Sequence, residues 1–202
     1  SQSGTLYGRS ASSLVYLDGG TFNLAGGVIE NSEGNHAVSS NAEKARANII
    51  NMTGGAILGS GVSSGTNRGG GVSLSSGTFN MTGGCIAGNT GVTTGGGVFL
   101  DGSATANING GVIAGNKGGV NGGGVYASSG CTVNIKDAVI TGNTAEGHGG
   151  NIYGVSAAIT LDGGASVAHG HAKGCGGGIY GWGSTSVLAK GNSLIYDNYA
   201  NN

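Results

Sequence analysis

The sequence predicts an all-β fold, a parallel β-helix in which the chain coils on itself with three short strands in each coil. Three observations support this: a motif that returns at a nearly constant interval, an alternation of apolar and polar residues, and 48 glycines with no proline among 202 residues. Glycine supplies the positive φ that tight corners need, and proline would delete hydrogen bonds from central strands. With 37% hydrophobic residues, we expect a packed rod and not collagen or a flexible linker.

The strongest repeat is an aliphatic pair followed by a small residue, Gly and Asn, as in residues 112–116 (VIAGN). The second aliphatic residue returns at intervals of about 27 to 29 residues, which is typical of a solenoid. Its copies are Ile29, Ile57, Ile86, Ile113, Ile140, Val167 and Ile195. The sequence therefore predicts about seven coils of roughly 27 residues each.

Two further segments keep the same interval. One alternates apolar and polar residues, as in 79–81 (FNM), which predicts a strand whose apolar side chains point inward and whose central polar residue points outward. These outward residues are Asn23, Asn51, Asn80, Asn107, Asn134 and Thr160. The other segment follows a Gly cluster and has an outward central position, occupied by Tyr16, Ser73, Phe99, Tyr126, Tyr153 and Tyr180.

The coils account for nearly the whole chain, so we expect one β-helix domain over residues 1–202, with a partial coil at 1–12 and seven repeats over 13–198. Neither end shows an amphipathic cap. This favours either a segment of a longer β-helix or a subunit that stacks end to end into a filament. One coil is distended, because residues 41–46 (NAEKAR) are inserted between its first two strands.

Charge and composition exclude several functions. The formal net charge is −1, which provides no basic surface for nucleic acid. No apolar run approaches the ~20 residues that span a bilayer. The three cysteines, Cys85, Cys131 and Cys175, are an odd number at irregular spacing, which argues against a disulfide framework. No cofactor is expected.

The repeats resemble right-handed, single-stranded parallel β-helix units of the pectate-lyase-like superfamily, and in particular Gly-rich bacterial surface and autotransporter-type adhesins such as the polymorphic outer-membrane proteins. Those proteins carry a Gly-Gly-Ala motif followed by Ile, Leu or Val, which stands here at 54–57 (GGAI). They also carry a Phe-x-x-Asn motif, which appears with Ile in place of Phe at 86–89, 113–116, 140–143 and 195–198. The resemblance implies a bacterial extracellular or cell-surface location and a structural or adhesive function.

The aromatic column is the first candidate contact site. Stacked at the strand spacing, the rings of Tyr16, Phe99, Tyr126, Tyr153 and Tyr180 would form an exposed row able to bind a host or matrix glycan or protein. The alternative is that the rings only stabilise the sheet. The expectation is a non-enzymatic stalk or adhesin segment, with a self-assembling filament and a polysaccharide lyase or glycoside hydrolase as the alternatives.

Two weaker candidate sites remain. Lys136, Asp162 and Lys190 occupy one position in successive coils, with Asp137 adjacent; they would serve either acid–base catalysis or an exposed row of ion pairs. His148, His169, His171 and Cys175 lie near one corner of two coils and carry zinc- or copper-binding atoms. The other members of the His148 column are polar residues of several kinds, which favours a structural position over a metal site.

Overall fold

The computed structural model describes residues 4–9, 13–33, 36–41, 48–61 and 69–202. This part of the chain is all β, with strands β1 to β27 arranged in four parallel sheets. The predicted parallel β-helix is confirmed. Of the inserted segment only Asn41 falls among the described residues, and residues 1–3 and 10–12 of the expected partial coil lie outside them.

The repeated aliphatic motif forms an eight-stranded sheet, here called the isoleucine sheet. Its strands are β1 (Thr5–Arg9), β4 (Val28–Glu33), β7 (Ala56–Leu58), β10 (Cys85–Ala87), β14 (Val112–Ala114), β18 (Val139–Thr141), β22 (Ser166–Ala168) and β26 (Leu194–Tyr196). Each strand pairs with its copy one coil later, so that Ile86 lies between Ile57 and Ile113. The predicted register is therefore the observed one.

The segment after each Gly cluster forms the seven-stranded aromatic sheet. Its strands are β2 (Val15–Leu17), β5 (Val38–Ser40), β8 (Val72–Leu74), β12 (Val98–Leu100), β16 (Val125–Ala127), β20 (Ile152–Val155) and β24 (Ile179–Trp182). The alternating segment forms the seven-stranded asparagine sheet. Its strands are β3 (Gly20–Leu24), β6 (Asn48–Met52), β9 (Thr78–Met81), β13 (Thr105–Ile108), β17 (Thr132–Lys136), β21 (Ala158–Asp162) and β25 (Ser186–Ala189).

A fourth sheet, the short sheet, was not predicted. Its strands among the described residues are β11 (Thr90–Gly91), β15 (Lys117–Gly118), β19 (Thr144–Ala145), β23 (His171–Ala172) and β27 (Tyr199–Ala200), and an isolated parallel bridge between Gly61 and Thr90 continues the pairing one coil earlier. Two-residue strands are too short to show the alternation that identifies a strand in a sequence. The aromatic and asparagine sheets each contain seven stacked strands, one for each predicted coil, and the six steps between these strands amount to about six full turns of the described chain.

The inward side chains of three sheets form one continuous core. Phe79 and Met81 of β9 are fully buried, as is Ile86 of β10, while Asn80 between the first two is only half-buried. Burying an aliphatic or aromatic side chain of this size contributes about 1.5–3 kcal/mol. No described segment forms a helix of the length and apolarity that crossing a membrane requires.

Glycine is required where the chain turns into the aromatic sheet. Gly122 has φ 68°. A Cβ on this residue would lie 3.0 Å from the Cβ of Tyr126 and 2.7 Å from the carbonyl oxygen of Val125. Gly95, Gly149 and Gly176 repeat this conformation in their own coils. The glycine column therefore provides the space into which the aromatic side chains fit, in addition to the left-handed backbone.

Candidate functional site

The predicted aromatic column forms a continuous stack over four coils. The ring centroids are 5.4 Å apart between Phe99 and Tyr126, 5.2 Å between Tyr126 and Tyr153, and 5.3 Å between Tyr153 and Tyr180. The interplanar angles of 10–19° make all three contacts face to face. Because parallel pairing places these residues directly opposite one another, the stack follows from the strand register.

The exposure of this stack differs from the expectation. Phe99 is only 3% exposed and Tyr153 only 8%, so the prediction of an exposed row of rings is wrong for these two residues. Each interior ring has neighbours against both of its faces, which leaves little face for a sugar. Tyr126 and Tyr180 are half-buried, and Tyr16 is 60% exposed.

Tyr16 does not belong to the stack. Two serines, Ser39 of β5 and Ser73 of β8, stand between it and Phe99 in the column. A binding surface that includes Tyr16 would therefore be separate from the stacked rings. The partly exposed rings of the stack itself are Tyr126 and Tyr180.

His148 extends the aromatic stack in a way that the sequence did not indicate. Its ring lies 4.6 Å from that of Tyr180 at 22°. Its Nδ1 accepts a hydrogen bond of 2.9 Å from the backbone N–H of Cys175, and the backbone N–H of His148 donates to Asn121 Oδ1 at 2.9 Å. The imidazole therefore links two coils by stacking and by hydrogen bonding at once.

The structure does not bring the four candidate metal ligands together. The rings of His169 and Tyr196 meet edge to face with centroids 5.6 Å apart, and those of His171 and Tyr199 stack with centroids 5.4 Å apart. His171 Nε2 is also 3.1 Å from Asn201 Oδ1. Within the described ranges, no three His, Cys, Asp or Glu side chains converge on a point that would suit a metal ion. The two histidines are thus engaged with tyrosines of the next coil.

The candidate catalytic charges form a row of alternating sign. Lys136 lies opposite Asp162 in the sheet, and Asp162 pairs with Lys190 at 3.2 Å. The backbone N–H of Gly163, donating to Asp162, and the Lys190 ammonium lower the pKa of the Asp162 carboxyl. Asp137 does not join this row, because its Oδ1 accepts the N–H of Gly164 at 2.7 Å. The geometry matches the ion-pair alternative of the sequence analysis.

The asparagines that follow the glycine turns form a hydrogen-bonded ladder, as Asn residues stacked in successive coils are expected to do, but the full burial of their amides was not predicted. Asn116 Nδ2 donates to Asn143 Oδ1 at 2.9 Å and to the carbonyl of Ile86 at 3.0 Å. Asn116 Oδ1 accepts from both the N–H and Nδ2 of Asn89, at 3.0 Å each. All three asparagines are 0% exposed. The left-handed conformation belongs to the residue before each of them, such as Gly115 with φ 60°.

A second ladder, of the predicted outward asparagines, runs along the asparagine sheet. Asn51, Asn80, Asn107 and Asn134 each donate through Nδ2 to the asparagine of the preceding coil, at 2.8–3.0 Å. A second outward column, which was not predicted, runs beside them, two residues earlier in each strand. It consists of Thr21, Ile49, Thr78, Thr105, Thr132, Ala158 and Ser186.

Comparison with protein-family models, with curated proteins and with solved structures finds no match. The fold and its ladders define the chain as a parallel β-solenoid. Its resemblance to the pectate-lyase-like superfamily and to bacterial surface adhesins remains a prediction from the sequence motifs.

Proposed function

We propose that this chain is a structural, non-enzymatic stalk or adhesive segment of an extracellular bacterial surface protein. The observation that supports the proposal is the continuity of the buried asparagine ladder, in which Asn89, Asn116 and Asn143 link successive coils through fully buried side chains. The Gly-rich motifs shared with bacterial surface proteins support the location.

A continuous ladder suits a stalk for a physical reason. In a solenoid each coil contacts only its neighbours, so stability depends on the interface between adjacent coils. Here that interface combines backbone hydrogen bonds, stacked rings and amide–amide bonds. Pulling one coil away from its neighbour breaks all three kinds of contact at once. Under load, we therefore expect the coils to unfold cooperatively and not to fray gradually from the ends.

Mechanical unfolding tests the stalk. A single chain held between handles is pulled from its two ends, and the rupture force is compared for wild type, Asn116→Ala and Asn107→Ala. Asn107 belongs to the same coil but to the outer, half-buried ladder, so it is a matched control. We expect a lower rupture force for Asn116→Ala and little change for Asn107→Ala. Equal forces for all three chains would argue against a load-carrying role of the buried ladder.

The enzymatic alternative has its own measurement. The chain is incubated with neutral and acidic polysaccharides, and new reducing ends and unsaturated sugars are assayed. We expect no turnover, since Asp162 is already paired with Lys190. Turnover that disappears in Asp162→Asn or Lys136→Ala would replace the stalk with a lyase or hydrolase.

Adhesion through the aromatic stack is the second candidate, favoured by the partial exposure of Tyr126 and Tyr180. With most ring faces in contact with other rings, such a site would work through ring edges and phenol hydroxyls. Glycan-array binding that is lost in Tyr126→Phe with Tyr180→Phe, and kept in Tyr16→Phe, would support it. Binding that survives the double substitution would assign adhesion to another surface.

A further inference from the structure

The outer surface of the asparagine sheet carries two parallel columns of uncharged polar side chains. We call its central part the Thr–Asn face, defined by Thr78, Asn80, Thr105, Asn107, Thr132 and Asn134. Adjacent coils are about 4.8 Å apart, and the two columns, two residues apart along each strand, are separated by about 6.6 Å. The face is therefore a regular grid of amides and hydroxyls.

The amides of this grid are fixed in place. Asn107 Nδ2 donates to Asn80 Oδ1, and Asn107 Oδ1 accepts from Asn134 Nδ2, both at 3.0 Å. An amide offers two N–H donors and an oxygen with two lone pairs, so each interior asparagine keeps one donor and one acceptor position beyond its ladder bonds. Because the ladder already holds the side chains, a ligand would meet little loss of rotamer freedom on binding.

The hydroxyls of the same grid are available. Thr78, Thr105 and Thr132 are half-buried, and their hydroxyl groups form no hydrogen bond with other side chains or backbone in the described part of the protein. The two columns contain no charged residue and no aromatic ring. Towards the end of the chain they continue as Ala158, Thr160, Ser186 and Leu188. The charges of this sheet begin one column away, at Lys136.

We propose that the Thr–Asn face binds a neutral, extended polysaccharide chain that lies along the solenoid axis. Each residue of a sugar chain presents hydroxyl groups that both donate and accept, so the chain repeats these groups along its length as the face repeats one free amide and one hydroxyl per coil. The two columns offer no cation to pair with an anionic polymer, so their chemistry favours a neutral ligand. An extended peptide would need a free strand edge, and the backbone of β13 is paired on both sides.

This site is distinct from the aromatic stack, and a test separates the two. The chain is mixed with microcrystalline cellulose and with chitin, and soluble cello- and chito-oligosaccharides are titrated by calorimetry. The test variant combines Thr78→Val, Thr105→Val and Thr132→Val, which keeps the side-chain shape and removes only the hydroxyls. The control combines Thr90→Val, Thr141→Val and Thr144→Val, which are threonines of similar exposure on other faces.

We expect wild type to bind at least one neutral probe. The loss of three hydrogen bonds should weaken binding by about tenfold or more, while the control triple and Tyr126→Phe with Tyr180→Phe stay within about twofold. Equal binding by the two triple variants would overturn the proposal. So would retention by alginate or heparin alone, retention by ice with no polysaccharide binding, or no binding by wild type to any neutral probe.

Discussion

The side chain of Asn151 fills the space that Gly170 leaves open inside the solenoid. Gly170 stands where the preceding coils carry Asn116 and Asn143, and a Cβ there would lie 2.5 Å from Asn151 Nδ2. Asn151 Oδ1 accepts from Asn143 Nδ2 at 2.8 Å, and its Nδ2 donates to Asn198 Oδ1 at 2.9 Å. The buried ladder thus stays continuous although one coil lacks the expected asparagine.

Asn and Gly have exchanged places at one corner of the core. Asn151 occupies the column of Gly97 and Gly124, whose missing side chains make room for the neighbouring asparagines; a Cβ on Gly124 would lie 2.8 Å from Asn143 Nδ2. Where the Gly column has Asn, the Asn column has Gly. One amide per coil satisfies the ladder, and the corner has space for only one side chain.

Replacing Asn151 by Ala should strongly destabilise the protein. The change breaks the hydrogen bonds to Asn143 Nδ2, Asn198 Oδ1 and the carbonyl of Ala168, each worth about 0.5–1.5 kcal/mol. It also leaves the buried backbone N–H of Asn143 without its acceptor, Asn151 Oδ1, at a cost of about 1–3 kcal/mol. We expect a loss of about 3–5 kcal/mol in the free energy of unfolding, measured by guanidinium denaturation. Asn134→Ala, on the outer ladder, should cost less than about 1 kcal/mol. Similar losses for both variants would contradict this account.

The fold was predictable because the features that determine it, a constant repeat interval and an alternation of residue types, can be read directly along the sequence. A constant interval fixes which strands stack, and the alternation around Asn80 or Asn107 fixes which side chains face the core. Both hold in the structure, where Phe79 and Met81 are buried between outward neighbours. The aromatic stack followed from the same register.

The direction in which a turn residue points, into the core or out to solvent, could not be predicted from the sequence. Asn116 follows a left-handed glycine, as an ordinary turn asparagine would, yet its amide points into the core. Spacing placed His148 and Cys175 in one column, but stacking directs the imidazole of His148 onto Tyr180. The exposure of the rings was overestimated. Their side chains point away from the core, as predicted, but stacked rings cover one another's faces.

Two glycines of one coil should respond very differently to alanine. Gly122 and Gly115 both have a left-handed backbone, with φ of 68° and 60°, but a Cβ on Gly122 meets Tyr126 while one on Gly115 meets nothing within 4 Å. At the position equivalent to Gly115, later coils carry His169 and Asp197 with φ of 51° and 49°.

Gly115→Ala should therefore cost only the left-handed strain of about 1–2 kcal/mol. Gly122→Ala should cost about 1–3 kcal/mol more, because the new methyl group overpacks the corner beside the ring. Guanidinium denaturation of both variants measures the difference. Stabilities that agree within error would mean that the corner relaxes and that the glycine column is needed only for its backbone conformation.

Alkaline pH should weaken the aromatic stack through Tyr153. Burial raises the pKa of its phenol, and the neighbouring phenols of Tyr126 and Tyr180 raise it further. A folded-state pKa above the unfolded value means that the folded chain prefers the neutral phenol, so stability falls as pH rises past about 10 and through the folded pKa. Tyr153→Phe should flatten this decline in thermal unfolding between those pH values. Tyr16→Phe, at an exposed ring outside the stack, should leave the decline unchanged.

Acid should weaken the ion pairs that Glu146 forms with Lys117 and Lys173 beside the short sheet. Its carboxylate binds Lys117 Nζ at 3.0 Å and also pairs with Lys173. Hydrogen bonds from Lys173 and then Lys117 lower the pKa of Glu146 to about 2. A depressed folded pKa means that the contribution is complete above the unfolded value of about 4.3 and is lost as pH falls towards the folded one.

Glu146→Gln should therefore reduce the loss of thermal stability between about pH 4.5 and pH 2, and high salt should reduce it in wild type by screening the exposed pairs. The matched control is Glu30→Gln, at an exposed carboxylate that forms no ion pair with the described residues. This control should keep the acid dependence of wild type. If thermal stability falls equally with decreasing pH in all three chains, at low and at high salt, the ion pairs between Glu146 and the two lysines do not contribute to folding stability.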